Sequence, residues 1–245
     1  MPDNKVKFSV VIPVYNEEKS ILPLHDSLCN IMDKMRENYE IIFVNDGSQD
    51  KTRHILNGLF VKSLHLLVVN FNKNRGQSLA MQAGFDVAKG EFIITIDGDL
   101  QNDPSDIPLM FHKINQGYDV VCGWRYKRHD PRIRVFLAML SSVIRKIVFR
   151  EVIHDPGCTL RIFKKDAVKD IFLFTGTHRL FALIMSRLGY KLGEVKVIHH
   201  KRKFGNSKYS IYTKIIDGVA IFIKFCLFDM QKLMHREKRK EGWIV

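Results

Sequence analysis

The strongest constraint on the fold is a regular alternation in the first hundred residues. A short apolar, β-branched run is followed by apolar residues at helical spacing, and the unit repeats. Residues 8–14 (Phe-Ser-Val-Val-Ile-Pro-Val) read as a buried strand, and Ile21, Leu24, Leu28, Ile31, Met32 and Met35 then recur on one helical face. Residues 40–45 and a helix after Asp50 repeat the unit, as do residues 64–69 and a helix over about 75–89, before a fourth strand at residues 92–96. Such alternation predicts an α/β domain with a parallel sheet and helices on both faces. A further helix is expected around residues 178–188 and a strand around 193–200. Gly90, Gly117 and Gly189 each stand between a helical and a strand pattern, where a left-handed C-terminal cap is expected.

In an open parallel sheet, ligands bind beyond the carboxyl ends of the strands. The unusual polar residues of this chain fall there. The four strands run into Tyr15-Asn16-Glu17-Glu18, Asn45-Asp46-Gly47-Ser48, residues 70–77 and Asp97-Gly98-Asp99. For Ser48 and Asp50 capping is the simpler job, but four such loops at one edge favour a nucleotide site. Asp97 and Asp99 would share a face if the strand continued, and Gly98 would let the chain turn tightly between them. Two close carboxylates repel unless a cation joins them. A hard ion, Mg²⁺ or Mn²⁺, is usually held by one or two carboxylates together with substrate phosphates, which implies a phosphorylated substrate. The plainer alternative is a polar turn in which Asp99 or Asp103 caps the helix that Pro104 begins. GxGxxG after the first strand and GxxxxGK[ST] anywhere are both missing, which disfavours a dehydrogenase or a P-loop ATPase.

The formal charge of +13 over 245 residues calls for an anionic partner. Residues 125–150 are basic and partly amphipathic, and Arg125 and Arg134 suit phosphate because a guanidinium offers a fork of donors. The segment His154-Asp-Pro-Gly-Cys-Thr-Leu-Arg161 follows without an assigned role. The basic, glycine-bearing stretch 199–209 has the character of an anion clamp. Residues 210–234 are helical in pattern and strongly apolar, with a basic tail, as expected of a helix on a membrane surface. The expected division is therefore a catalytic domain over 1–209 and an amphipathic helix with its tail over 210–245. The scattered Cys29, Cys122, Cys158 and Cys226 fit reduced thiols rather than zinc or disulfides. No secretory signal or spanning segment is read, so the expected location is cytoplasmic and peripheral at the membrane.

Taken in order, Val11-Ile-Pro-Val-Tyr-Asn-Glu-Glu18, Val44-Asn-Asp-Gly-Ser-Gln-Asp-Lys-Thr52, Asn74-Arg-Gly-Gln77, Asp97-Gly-Asp-Leu-Gln101 with Pro104, Gly123-Trp-Arg125 and Gly205-Asn-Ser-Lys-Tyr209 form a specific set. The set resembles the inverting glycosyltransferases of family 2, in particular the dolichol-phosphate mannosyltransferase and undecaprenyl-phosphate branch. The resemblance implies a GT-A fold, a nucleotide-sugar donor and a polyprenyl phosphate acceptor. On matching positions it implies that Pro13, Tyr15, Glu17 and Asp46 hold base and ribose. Asp97, Asp99 and Gln101 would form the metal and diphosphate site, and Arg125, Ser207 and Lys208 would face phosphates. Arg202 and His199 match a basic position before the last motif. Many members carry two spanning helices after the position of Met234, so this chain is expected to be peripheral or to lack a membrane part. A homo-oligomer is compatible with this reading.

Four other readings compete. A nucleic-acid-binding protein would share the charge but would not need converging acidic loops. A phosphohydrolase of the dehalogenase type wants threonine where Gln101 stands, and a processive polysaccharide synthase wants a QxxRW segment that the chain lacks. Transfer to a glycan or lipid hydroxyl is the nearest enzymatic alternative.

Overall fold

A computed structural model describes residues 5–126, 153–169, 171, 173 and 176–203. The basic segment around Arg134, Ser207, Lys208, Cys226 and the expected helix over 210–234 lie outside the described residues. The parallel part follows the alternation: β1 (Phe8–Val14), α1 (Ile21–Met35), β2 (Tyr39–Asn45), α2 (Thr52–Phe60), β3 (Leu66–Asn70), α3 (Gln77–Val87) and β4 (Phe92–Thr95). A 3₁₀ turn (Pro104–Asp106), α4 (Ile107–Ile114), β5 (Val120–Arg125), β6 (Arg161–Lys164), α5 (Lys165–Val168), a second 3₁₀ turn (Thr177–Leu180), α6 (Phe181–Arg187) and β7 (Leu192–Val197) complete it.

The strands form one sheet in the order β3-β2-β1-β4-β6-β5-β7. Alternate residues of β1 and β2 face opposite sides. Phe8, Val10, Ile12, Tyr39, Ile41 and Phe43 pack with the apolar faces of α1, α2 and α4, while Val11, Ile42 and Val44 pack with α3, α5 and α6. Helix α3 comes close because its inner face is small: Ala80, Ala83 and Gly84 are turned to the sheet, and a Cβ on Gly84 would overlap Val11 Cγ1. Successive strands move outward from β1 to β3, and the chain then crosses back so that β4 pairs with the other side of β1. The crevice created by this reversal opens at the carboxyl ends of β1 and β4.

The sheet is not wholly parallel, because β6 runs antiparallel between β4 and β5. Its start therefore lies at the same edge as the ends of β4 and β5. Strands β5 and β6 were not read from the sequence, since β6 has only four residues, flanked by charges, and β5 ends in Gly-Trp-Arg. Gly117 and Gly189 adopt the expected left-handed conformation, with φ of 90° and 84°, but Gly90 does not. Gly90 is instead a point of close approach, where a Cβ would lie 2.5 Å from the backbone nitrogen of Ser9. Gly98 lies in the expected turn, and its small size also admits Val14, whose Cγ1 would stand 2.6 Å from an added Cβ. Among the described residues no helix is long and apolar enough to cross a membrane.

Candidate active site

The loops beyond the strands are tied to one another chiefly by side chains. Asn16 N–H donates to Ser48 Oγ (2.9 Å), Glu17 N–H to Thr52 Oγ1 (2.9 Å) and Glu18 N–H to Asp50 Oδ2 (3.2 Å). Asp50 Oδ1 also accepts from the N–H of Thr52, the first residue of α2, at 2.9 Å, although the N-cap residue itself is Lys51, and the Ser48 hydroxyl ties the loop after β1 instead of capping a helix. Asp103 likewise accepts from Ser105 N–H (2.9 Å) at the first 3₁₀ turn. Asp46, expected at the base and ribose, accepts from Arg75 N–H (2.7 Å) and Gly76 N–H (2.9 Å) and so holds the loop before α3. Burial pushes its pKa up, against the pull of those two donors. Pro13 lies within β1 opposite Val44, and Tyr15 follows the strand half-buried.

β4 ends at Thr95, two residues before Asp97, so the two aspartates are not carried on one strand face. Their partners differ. Asp97 turns inward: Gln77 Nε2 donates to its Oδ1 (2.8 Å) and Thr159 Oγ1 to its Oδ2 (2.6 Å). Its pKa is pushed up to about 6, by burial first and by the charge of Asp99 second, against the Thr159 hydrogen bond and the charges of Arg125 and Arg161. Asp99 instead meets Arg202, whose Nη2 donates to its Oδ2 at 3.0 Å. The same nitrogen stands 3.6 Å from Glu17 Oε1. Arg202 thus joins the loop after β1 to the loop after β4.

Arg202 reaches this place because the segment after β7 is laid along the Asp97–Asp106 loop. Ile198 N–H donates to Asp106 Oδ2 (2.8 Å), His200 N–H donates to the Gln101 carbonyl (2.8 Å), and His200 Nε2 meets Asp103 Oδ2 at 2.8 Å. Burial alone would raise the pKa of Asp103, but His200 and the Ser105 N–H hold it below the usual carboxylate value. Gln101 Nε2 lies 3.5 Å from His199 Nε2 and 3.4 Å from the His200 carbonyl.

Arg125 is also engaged. Its Nε and Nη2 donate to the two oxygens of Asp155 at 2.6 and 2.8 Å, which leaves Nη1 for another anion. Although burial disfavours its charge, Asp155 holds its pKa above the ordinary value. Arg161, for which the sequence reading had no role, is almost fully buried beside this group. Its Nη1 and Nη2 donate to the carbonyls of His178 (3.1 Å) and Pro156 (2.7 Å). Glu17, Asp99 and Arg202 are thus brought into direct contact, whereas Asp97 and Arg125 each face a different partner.

These residues fit a hard divalent cation held jointly with phosphate. Among the described residues no group of three or more His, Cys, Asp or Glu side chains is arranged to hold a metal. A guanidinium already stands at Asp99 and Glu17, marking where positive charge is favoured.

The family model described as Glycosyl transferase family 2 matches residues 9–172, two thirds of the chain. The chain belongs to glycosyl transferase family 2. This family 2 glycosyltransferase is 36% identical over 239 residues to the dodecaprenyl-phosphate galacturonate synthase of Rhizobium johnstonii, covering 91% of this chain and 69% of that protein. It is 36% identical over 213 residues to the undecaprenyl-phosphate 4-deoxy-4-formamido-L-arabinose transferase of Photorhabdus laumondii, covering 86% and 65%. It thus spans about two thirds of the length of these relatives. Its fold resembles that of glucosyl-3-phosphoglycerate synthase from Mycobacterium tuberculosis, crystallised with Mn²⁺, UDP and its product. There the TM-score is 0.71 at 18% identity, covering 91% of this chain and 81% of that one, which identifies the fold of the family 2 glycosyltransferase as GT-A-like.

Proposed function

We propose that the protein is an inverting, metal-dependent glycosyltransferase that moves a sugar from a UDP- or GDP-sugar to a polyprenyl phosphate at the cytoplasmic face of a membrane. The observation that carries the proposal is the pairing of opposite charges at one sheet edge. Asp97, Asp99 and Glu17 stand among Arg125, Arg161 and Arg202, a set suited to an anion that arrives with its own cation. The names of the two relatives, which concern dodecaprenyl and undecaprenyl phosphate, support the choice of acceptor.

In this reading Pro13, Tyr15, Glu17 and Asp46 line the place of base and ribose. Asp97, Asp99 and Gln101 would hold Mg²⁺ or Mn²⁺, which would neutralise charge on the departing nucleoside diphosphate. Arg202 moves from Asp99 toward the diphosphate, and Arg125 offers its remaining N–H groups to the acceptor phosphate. Ser207 and Lys208 complete the phosphate contacts. The acceptor attacks the anomeric carbon from the face opposite the leaving group. A phosphate monoester has a second pKa of roughly 6 and is a dianion near neutral pH, so no side chain is needed as obligatory general base. The carboxylates then serve the cation.

Thermal unfolding with Mn²⁺ and a panel of UDP- and GDP-sugars tests the donor. One nucleotide class should raise Tm, by a shift equivalent to about 2.7 kcal/mol at a hundred times Kd, and only with the metal present. No stabilisation by either class would contradict the proposal.

A further inference from the structure

Of the segment 154–161 only Arg161 enters the reading above, yet the polar groups of the segment are used at almost every position. Glu194 Oε1 accepts from the backbone N–H groups of His154 (2.8 Å) and Asp155 (3.1 Å) and so fixes the start of the segment. Asp155 holds Arg125, and the Pro156 carbonyl accepts from Arg161. Thr159 is the residue that reaches the acidic loop.

Three contacts fix it. Thr95 Oγ1 donates to the Thr159 carbonyl (2.6 Å) and holds its backbone. Asn102 Nδ2 donates to Thr159 Oγ1 (3.2 Å), and the hydroxyl's one proton goes to Asp97 Oδ2 at 2.6 Å. The antiparallel register explains the meeting. Thr95 lies opposite Arg161, so two residues on along one strand and two back along the other bring Asp97 opposite Thr159. Gln77 Nε2 holds the other oxygen, so two neutral donors fix the plane of the carboxylate without cancelling its charge. Each oxygen keeps a lone pair for another ligand.

We infer that Thr159 is a positioning residue that orients the Asp97 carboxylate toward the divalent cation and thereby sets the affinity for a metal–nucleoside diphosphate. The inference rests on the assignment of Asp97 to the metal site. Partners that orient a metal ligand typically change metal affinity 10- to 100-fold when removed.

The test is isothermal titration of the full chain with UDP and, in parallel, GDP in the presence of Mn²⁺. Thr159→Val keeps the shape and loses the hydroxyl, and should bind the nucleotide that wild type binds about 10-fold more weakly or worse. Thr159→Ser restores the donor and should stay within about 3-fold of wild type. Thr159→Ala removes the hydroxyl without setting a methyl against the carboxylate, and gives the same reading should the valine variant not fold. In an Asp97→Asn background, Thr159→Val should add little further loss, because both act through one carboxylate. Wild-type affinity in Thr159→Val or Thr159→Ala, or a Thr159→Ser as weak as they are, would overturn the inference. A wild-type chain that binds neither nucleotide with Mn²⁺ would instead overturn the metal assignment beneath it.

Discussion

The neutral variant Asp97→Asn should make the ligand-free protein more stable while weakening its metal-dependent binding. Asp97 titrates at about 6 in the fold against 3.8 unfolded, a gap of roughly two units. The folded chain thus holds its proton more tightly than the unfolded chain. The associated stability is fully present below pH 3.8 and is lost as pH rises through about 6, so at pH 7.5 the ionised group is a net cost. At about 1.4 kcal/mol per unit this amounts to roughly 3 kcal/mol. Asparagine removes the charge and keeps an oxygen for Thr159, but Gln77 must turn its amide to face the new NH₂, so we expect about 2 kcal/mol. For a chain of this size that corresponds to a Tm increase of about 4–8 °C at pH 7.5. Thermal unfolding without metal or nucleotide, repeated at pH 7.5 and at pH 5, measures it. The gap between variant and wild type should narrow at the lower pH, where the wild-type carboxyl is largely protonated. A variant less stable than wild type at pH 7.5, or a gap indifferent to pH, would refute the reasoning.

Arg202→Met should separate the roles of that arginine by sign. Free Mn²⁺ should bind a few-fold more tightly once the guanidinium no longer competes for Asp99, whereas Mn²⁺ with UDP or GDP should bind about 10-fold more weakly for want of a charged phosphate partner; equal weakening of both, by titration calorimetry, would count against the stand-in role. Gly47 sits at φ 67°, and an added Cβ would overlap the Lys73 carbonyl carbon, so Gly47→Ala should cost about 2–4 kcal/mol in denaturant unfolding and an unchanged midpoint would contradict the packing.

The half of the fold that was legible owes this to double-sided burial. Strands β1 to β4 are covered on both faces, so they read as apolar runs; α1 and α2 each bury one face, whereas α3 is buried nearly all round. Of the later strands only β7 was legible; β6 is Arg-Ile-Phe-Lys, and its pairing with β4 joins segments some 70 residues apart. Of the site, the charged residues at strand ends were visible because charge after an apolar run stands out. Their partners were not. Thr159 lies 62 residues from the carboxylate it holds, and Glu194 lies 39 from the Asp155 N–H it accepts. No local periodicity announces a lone hydroxyl meeting a distant acid. Asp99 as a metal residue and Arg202 as a basic position were both visible, but their mutual contact depends on how the strand after α6 returns to the edge of the sheet.

The measurement that bears most directly on the proposed chemistry compares acceptors. Purified protein with Mn²⁺ and the nucleotide sugar that stabilises it would be given a polyprenyl phosphate and, separately, the matching free polyprenol, across pH 5–8. The account predicts transfer to the phosphate alone, with a rate that falls at low pH as the acceptor loses its second negative charge and Asp97, titrating near 6, takes up a proton. Efficient transfer to the free alcohol would contradict it, and would require one of the carboxylates assigned to the cation to act as a base instead.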